Sequence, residues 1–155
     1  MLPNQYLQVL KKIALCLKES SVNWAITGSV GMALQGMPLE VHDIDIQTNK
    51  DGAYYIECFF AEYMIKPVRF IESELICSHL GLLEIDGIFV EIMGDIRQRQ
   101  DNLTWDVPIR VETYRQWLEI DEMHVPVMSL EYEYHAYLRL GRIEKAEMIR
   151  SWLKK

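Results

Sequence analysis

The segment from Ser78 to Met93 constrains the fold more than any other. Two apolar runs, Ser78 to Ile85 and Ile88 to Met93, flank the dipeptide Asp86-Gly87. A two-residue hairpin loop of the primed type needs positive φ at both central positions, and Asp-Gly is among the few pairs that supply it. A β-hairpin here requires a sheet with a buried face, so the remaining elements must provide helices or strands that cover it.

Those elements follow from periodicity. Asn4 can cap a first helix, with Leu7, Leu10, Ala14 and Leu17 at helical spacing, ending near Ser20 and Ser21. Trp24 to Thr27 is a short apolar strand running into Gly28-Ser29. A short helix is expected from Val30 to Gln35, stopped by Gly36 and Pro38. Asp43 to Thr48 reads as a strand, and Asp51 can cap a third helix whose body is Tyr54 to Tyr63. Between Asn102 and Val125 one or two short strands and a helix near Thr113 to Leu118 are expected, with Pro126 breaking the chain. Ser129 caps a helix to Leu140, and Gly141 interrupts. A last helix presents Ile143, Ala146, Ile149 and Leu153 on one face.

The resulting order is helix, strand, helix, strand, helix, hairpin, helices. It describes an α+β domain with a mixed or antiparallel central sheet and helices packed on one side. Residues 1–128 form the expected core and 129–155 a C-terminal helical tail packed on it. A chain of 155 residues, half apolar and a quarter charged, suits one such domain.

The residues with chemistry lie along this frame. In Asp43-Ile44-Asp45-Ile46, alternate side chains share a face, so both carboxylates point one way with Cα atoms roughly 6.5–7 Å apart. Ile44 and Ile46 point into the core. Asp is poor in strands, and two like charges on one face repel unless a cation or donor intervenes. Hard cations such as Mg²⁺ take carboxylate, phosphate and water oxygens. Taken alone, the triplet could equally be acids alternating on a solvated strand. Gly28-Ser29 stands at a strand end before a helix, where N–H groups and the Ser29 hydroxyl can hold phosphate. It is not a P-loop, since Gly-Lys-Ser/Thr is absent. Glu91, on the face shared by Phe89 and Met93, is a third carboxylate. Asp86 and Asp95 are weaker candidates.

Together these elements resemble the DNA polymerase β-like nucleotidyltransferase superfamily. Its pattern is an apolar strand, Gly-Gly or Gly-Ser, a strand with Asp-x-Asp or Asp-x-Glu, and a later acid on another strand. The stretch from Trp24 to Ile46 carries the match. Gly36-Met37-Pro38 through Ile46 is similar to small bacterial and archaeal members, including lincosamide-type enzymes. Tyr137 to Ala146 resembles the helical tail of other small members.

The resemblance implies transfer of a nucleoside monophosphate from a nucleoside triphosphate to an acceptor hydroxyl on a small molecule or protein, with pyrophosphate released. It implies that Asp43, Asp45 and Glu91 are both the catalytic and the metal-binding set. The cofactor would be two Mg²⁺ ions, with Mn²⁺ as a substitute. Gly28 and Ser29 would cradle the phosphates, helped by Arg69, Arg139, Arg142 and Lys145. Val30, Gly31 and Met32, and then Leu39 and Val41, stand where many relatives carry arginine. That departure motivates a second reading, a catalytically weak or inactive binding module such as an antitoxin-like regulator. A glycosyltransferase using Asp-x-Asp would leave the Gly-Ser turn without a purpose.

Charge and cysteine usage narrow the partners. The formal net charge is −7, which argues against a long nucleic acid. The segment from Arg139 to Lys155 is the exception, with six basic residues against two acids. Cys16, Cys58 and Cys77 form no CxxC pair and read as reduced, mostly buried thiols of a cytoplasmic protein. The histidines show no zinc spacing. No apolar run reaches membrane-spanning length. A nucleoside triphosphate, an unidentified acceptor, and a protein partner or second copy of the chain are the expected partners.

Overall fold

The computed structural model describes residues 2–101 and 104–155. Asn102, where the least defined stretch of the sequence begins, lies outside the described residues. The elements in order are α1 (Asn4–Lys18), β1 (Trp24–Thr27), α2 (Gly28–Leu34), β2 (Ile44–Thr48) and α3 (Lys50–Phe59). A 3₁₀ turn at Ala61–Tyr63 leads into β3 (Met64–Glu72), β4 (Ile76–Ile85) and β5 (Ile88–Gln98). After the short α4 (Val111–Tyr114) come β6 (Arg115–Ile120), β7 (Met123–Met128), α5 (Leu130–Arg139) and α6 (Ile143–Leu153).

The seven strands form one mixed sheet in the order β3-β4-β5-β2-β1-β7-β6. Pairs β2/β5 and β1/β7 are parallel, and the others antiparallel. The β4–β5 hairpin turns at Asp86 (φ 49°) and Gly87 (φ 82°), as the dipeptide requires.

Strict alternation divides the central strands between two environments. Ile26 of β1, Ile44 and Ile46 of β2, and Val90 and Ile92 of β5 are buried in the main core. Against them pack Leu10, Ile13 and Leu17 of α1, Val30 of α2, and Ala53 and Ile56 of α3. Thr27, Asp45 and Glu91 therefore face the other way. The register aligns them in one row, Thr27 opposite Asp45 and Asp45 opposite Glu91. The end of this second face near Ala25 is covered by Val111 of α4, Met128 of β7 and Tyr132 of α5. Helices α5 and α6 meet α2 and the loop after it through Leu130, Ile149, Met32 and Met37.

Several local expectations shift. Pro3, not Asn4, occupies the N-cap of α1, without a side-chain bond. Asn49, not Asp51, caps α3 and accepts from the Gly52 N–H at 2.7 Å. Helix α2 starts two residues early, so Gly28 and Ser29 belong to it. Asp43 occupies a bend immediately before β2.

Strand β3 carries no sequence signal because it is an edge. Only Val68 is buried, so its pattern lacks alternation. Pro126 does not break the chain but lies within β7 opposite Trp117. Proline's fixed φ suits extended backbone, and the parallel ladder to β1 registers only Ile26 with Val127. The helix expected near Thr113 to Leu118 is a single turn at Val111–Tyr114, and strand β6 takes the rest. On α6 only Ala146 and Ile149 are buried, while Ile143 and Leu153 are exposed. Ser129 does cap α5, accepting from the Tyr132 N–H at 3.2 Å. The cysteines are free, but Cys58 is exposed and only Cys77 is buried. Among the described residues no helix is long and apolar enough to cross a membrane.

Ile46 holds β2 to the core directly beside Asp45 and is 1% exposed. Ile46→Ala is expected to cost about 2–5 kcal/mol of unfolding free energy by urea titration. Ile65→Ala, exposed on β3, should stay within about 0.5 kcal/mol.

Candidate active site

The site starts at the end of β1. The chain turns there through Gly28, whose φ is +71°. A Cβ at this position would lie 2.5 Å from Asp45 Oδ2, so glycine is what lets the Asp45 carboxylate stand against the turn. The next residue positions the other aspartate. Ser29 is buried, and its Oγ accepts the His42 N–H at 3.0 Å. This bond ties the loop before β2 to α2 and sets Asp43 at the strand entrance. The Ser29 hydroxyl keeps its own hydrogen for another acceptor.

Asp45 and Glu91 are partners on adjacent parallel strands, and all three acids are half-buried. Burial, then the charges of Glu91, Asp43 and Glu133, push the Asp45 carboxyl up to about 7, with Lys145 opposing. Burial, then Asp43, also raises Glu91, with Lys66 opposing. These acids crowd one another with few cations in reach.

Glu133 of α5 is the residue that sequence reasoning missed. It is 3% exposed and accepts from the Thr27 hydroxyl and, at 3.2 Å, from the Gly28 N–H. In sequence it looks like an ordinary acid in the first turn of a helix, where the dipole favours it. Its one peculiarity is its place between Tyr132 and Tyr134. The contact bolts the C-terminal helices to the turn and commits the Gly28 N–H to protein. Burial pushes the Glu133 carboxyl up to about 7, against the Thr27 and Gly28 bonds and Lys145.

The basic candidates divide. Lys145 of α6 is half-buried and acts on both Asp45 and Glu133. Its Nζ lies 5.4 Å from the Tyr137 ring centroid, and the Arg142 guanidinium lies 5.1 Å from the same ring. Arg139 pairs instead with Asp106 at 2.5 Å. Arg69 is exposed on β3, in a cleft that Glu91 also lines. Of the weaker acids, Asp86 pairs with Lys12 at 2.6 Å, which holds it at the hairpin turn. Asp95 has φ 51° and lies further along β5.

The donor set suits a divalent cation. Asp43, Asp45 and Glu91 are hard oxygen ligands whose mutual repulsion a cation would relieve. Among the described residues no three His, Cys, Asp or Glu side chains enclose an ion by themselves. An ion held here must complete its shell with substrate oxygens and water, as Mg²⁺ commonly does.

A sheet with this row of acids beside a Gly-Ser turn defines the nucleotidyltransferase class. A family model described as aminoglycoside-2''-adenylyltransferase matches residues 9–150, and the chain belongs to that family. A Thermotoga maritima protein, described as a candidate nucleotidyltransferase, is 56% identical. Its structure superposes with a TM-score of 0.89, covering 99% of this chain and 96% of that one. The lincosamide antibiotic adenylyltransferase LnuA, with lincomycin bound, shares the fold at TM-score 0.59 and 14% identity, covering 96% and 98% of the two chains. ANT(2'')-Ia in complex with adenylyl-2''-tobramycin does so at TM-score 0.59 and 14% identity, covering 96% and 89%. No protein of curated function is significantly similar to the chain. The chain is a nucleotidyltransferase.

Two expected outcomes follow from the geometry. Gly28→Ala should leave the fold intact by circular dichroism. It should lower nucleotidyl transfer by about 10²-fold, because the added Cβ displaces Asp45. The second concerns Glu133, whose folded-state carboxyl titrates above its ordinary value. Its contribution to stability is full below about pH 4.5 and is lost as pH rises through about 7. Glu133→Gln retains an acceptor oxygen and cannot ionise. Relative to wild type, it should gain roughly 1–3 kcal/mol in unfolding free energy between pH 4.5 and 8.

Proposed function

We propose that the chain transfers a nucleoside monophosphate, with ATP as donor, to a hydroxyl of a small molecule or protein. The observation that carries this is the row Thr27–Asp45–Glu91, with Asp43 at its edge and the Gly28-Ser29 turn at one end. The adenylyltransferase description of the family supports the choice of ATP.

The reaction forms one bond and breaks another. The acceptor oxygen bonds to the α-phosphorus, the bond from that phosphorus to the α–β bridging oxygen breaks, and pyrophosphate leaves. The acceptor proton passes to Glu91, whose raised carboxyl suits a base. In-line displacement puts nucleophile and leaving group on opposite sides of the phosphorus. Ser29 and Lys145 accordingly hold the triphosphate tail on the β1 side, through a hydroxyl donor and an ammonium. Arg142, whose guanidinium also lies near the Tyr137 ring, adds to that charge. The acceptor enters over Glu91 on the β5 side. Asp43, Asp45 and Glu91 would hold one or two Mg²⁺ ions, or Mn²⁺ in their place. Such ions would neutralise the phosphates and make the attacking hydroxyl more acidic. Glu133 positions Thr27 and Gly28 without touching substrate. We place this chemistry in the cytoplasm.

The test is incubation with α-labelled ATP, Mg²⁺ and a cell lysate. Wild type should transfer about 10²-fold or more label than Asp43→Ala/Asp45→Asn. Equal labelling by the two proteins would sink the proposal.

A further inference from the structure

Next to Glu91, on the side away from the Gly-Ser turn, the sheet carries a second feature. A cleft of about 150 Å³ is lined by Lys66, Pro67, Arg69 and Ile71 of β3, Leu80 to Leu82 of β4, and Glu91. Its floor follows from the register. Leu82 lies opposite Glu91, and Lys66 lies opposite Leu82, so the row of site residues continues into the cleft.

The cleft contains a local irregularity. Between Lys66 and Arg69 strand β3 advances three residues, while its partners on β4 go from Leu82 to Leu80. Regular alternation would put residues 66 and 69 on opposite faces. The extra residue in β3 re-aims Arg69, so that both cations stand over Leu80 and Leu82. Val68 keeps the core side, against Gly81. Among the described residues neither Lys66 nor Arg69 forms an ion pair. The two cations line one cleft with an apolar floor, and Lys66 is close enough to act on Glu91. On this face the exposed Glu84 lies two residues beyond Leu82, and from α3 the Glu57 carboxylate accepts the Val68 N–H.

We propose that this cleft is the acceptor subsite and that it selects a hydroxyl compound carrying an anionic group and a small apolar body. This rests on the nucleotidyltransferase reading, in which the acceptor approaches over Glu91. Leu80, Leu82, Pro67 and Ile71 receive the apolar part, and Lys66 and Arg69 the carboxylate or phosphate. The hydroxyl is left towards Glu91. Such an acceptor is opposite in charge to an aminoglycoside, whose ammonium groups the two cations would repel.

Three hydroxyl-bearing phenylpropane probes differ in charge: 3-phenyllactate (anionic), 3-phenylpropane-1,2-diol (neutral) and phenylalaninol (cationic). Their binding is measured calorimetrically with Mg²⁺ and a non-hydrolysable ATP analogue, on wild type and on Lys66→Glu/Arg69→Glu. Wild type should favour phenyllactate over phenylalaninol by about tenfold or more, and the variant should reverse the order, with analogue affinity unchanged. Equal or tighter binding of the diol or phenylalaninol to wild type would overturn the inference while leaving the nucleotidyltransferase reading intact. A tenfold loss of analogue affinity in the variant would overturn it too, assigning the cations to the triphosphate. Failure of wild type to bind the analogue at all would overturn the reading and the inference together.

Discussion

The period-two alternation of β1, β2 and β5 at the centre of the sheet governs the rest of the structure. Ile26, Ile44, Ile46, Val90 and Ile92 anchor these strands against α1, α2 and α3. Because each isoleucine or valine is fixed in the core, the residue next to it is fixed on the opposite face. Thr27, Asp45 and Glu91 are thereby aligned across three strands. A one-residue slip would send the acids into the core and the isoleucines to the site. The hydrophobic energy that stabilises the sheet is thus also what registers the acids, with no separate device.

That alignment has an electrostatic cost. Asp45 is pushed up to about 7 by burial and by neighbouring carboxylates. Acids gathered this way without matching cations are the mark of a site built to bind something positive. The polymer supplies Lys145 on one side and Lys66 on the other. Neither lies in the row of acids itself. A divalent cation held there would offset the remaining charge.

The C-terminal helices belong to the site as well as to the fold. Glu133 accepts from Thr27 and Gly28, and Leu130 and Ile149 pack against Met32 and Met37. This docking brings Lys145 to the acids. It also decides how the basic segment is used, since Arg139 turns to Asp106 while Arg142 and Lys145 flank Tyr137.

Much of the centre was legible in the sequence, because its signals are local. Asp86-Gly87 fixes a turn through the φ values it tolerates, and β2 alternates within five residues. The caps of α1 and α3 were misplaced because neighbouring residues compete for one position. Strand β3 was silent because an edge with one buried residue has no period to read. What the sequence by itself determined was the alternation, the hairpin and the spacing of Gly28-Ser29 from Asp43 and Asp45. These depend on backbone sterics and on which side chains avoid water. Only the tertiary structure decided that Glu133 is buried against Gly28, that the charge of Lys145 acts on Asp45, and that an extra residue in β3 turns Arg69 to the same face as Lys66. The first two relations join segments far apart in the chain and the third depends on how β3 pairs with β4, so all three exist only once the sheet and its helices have packed.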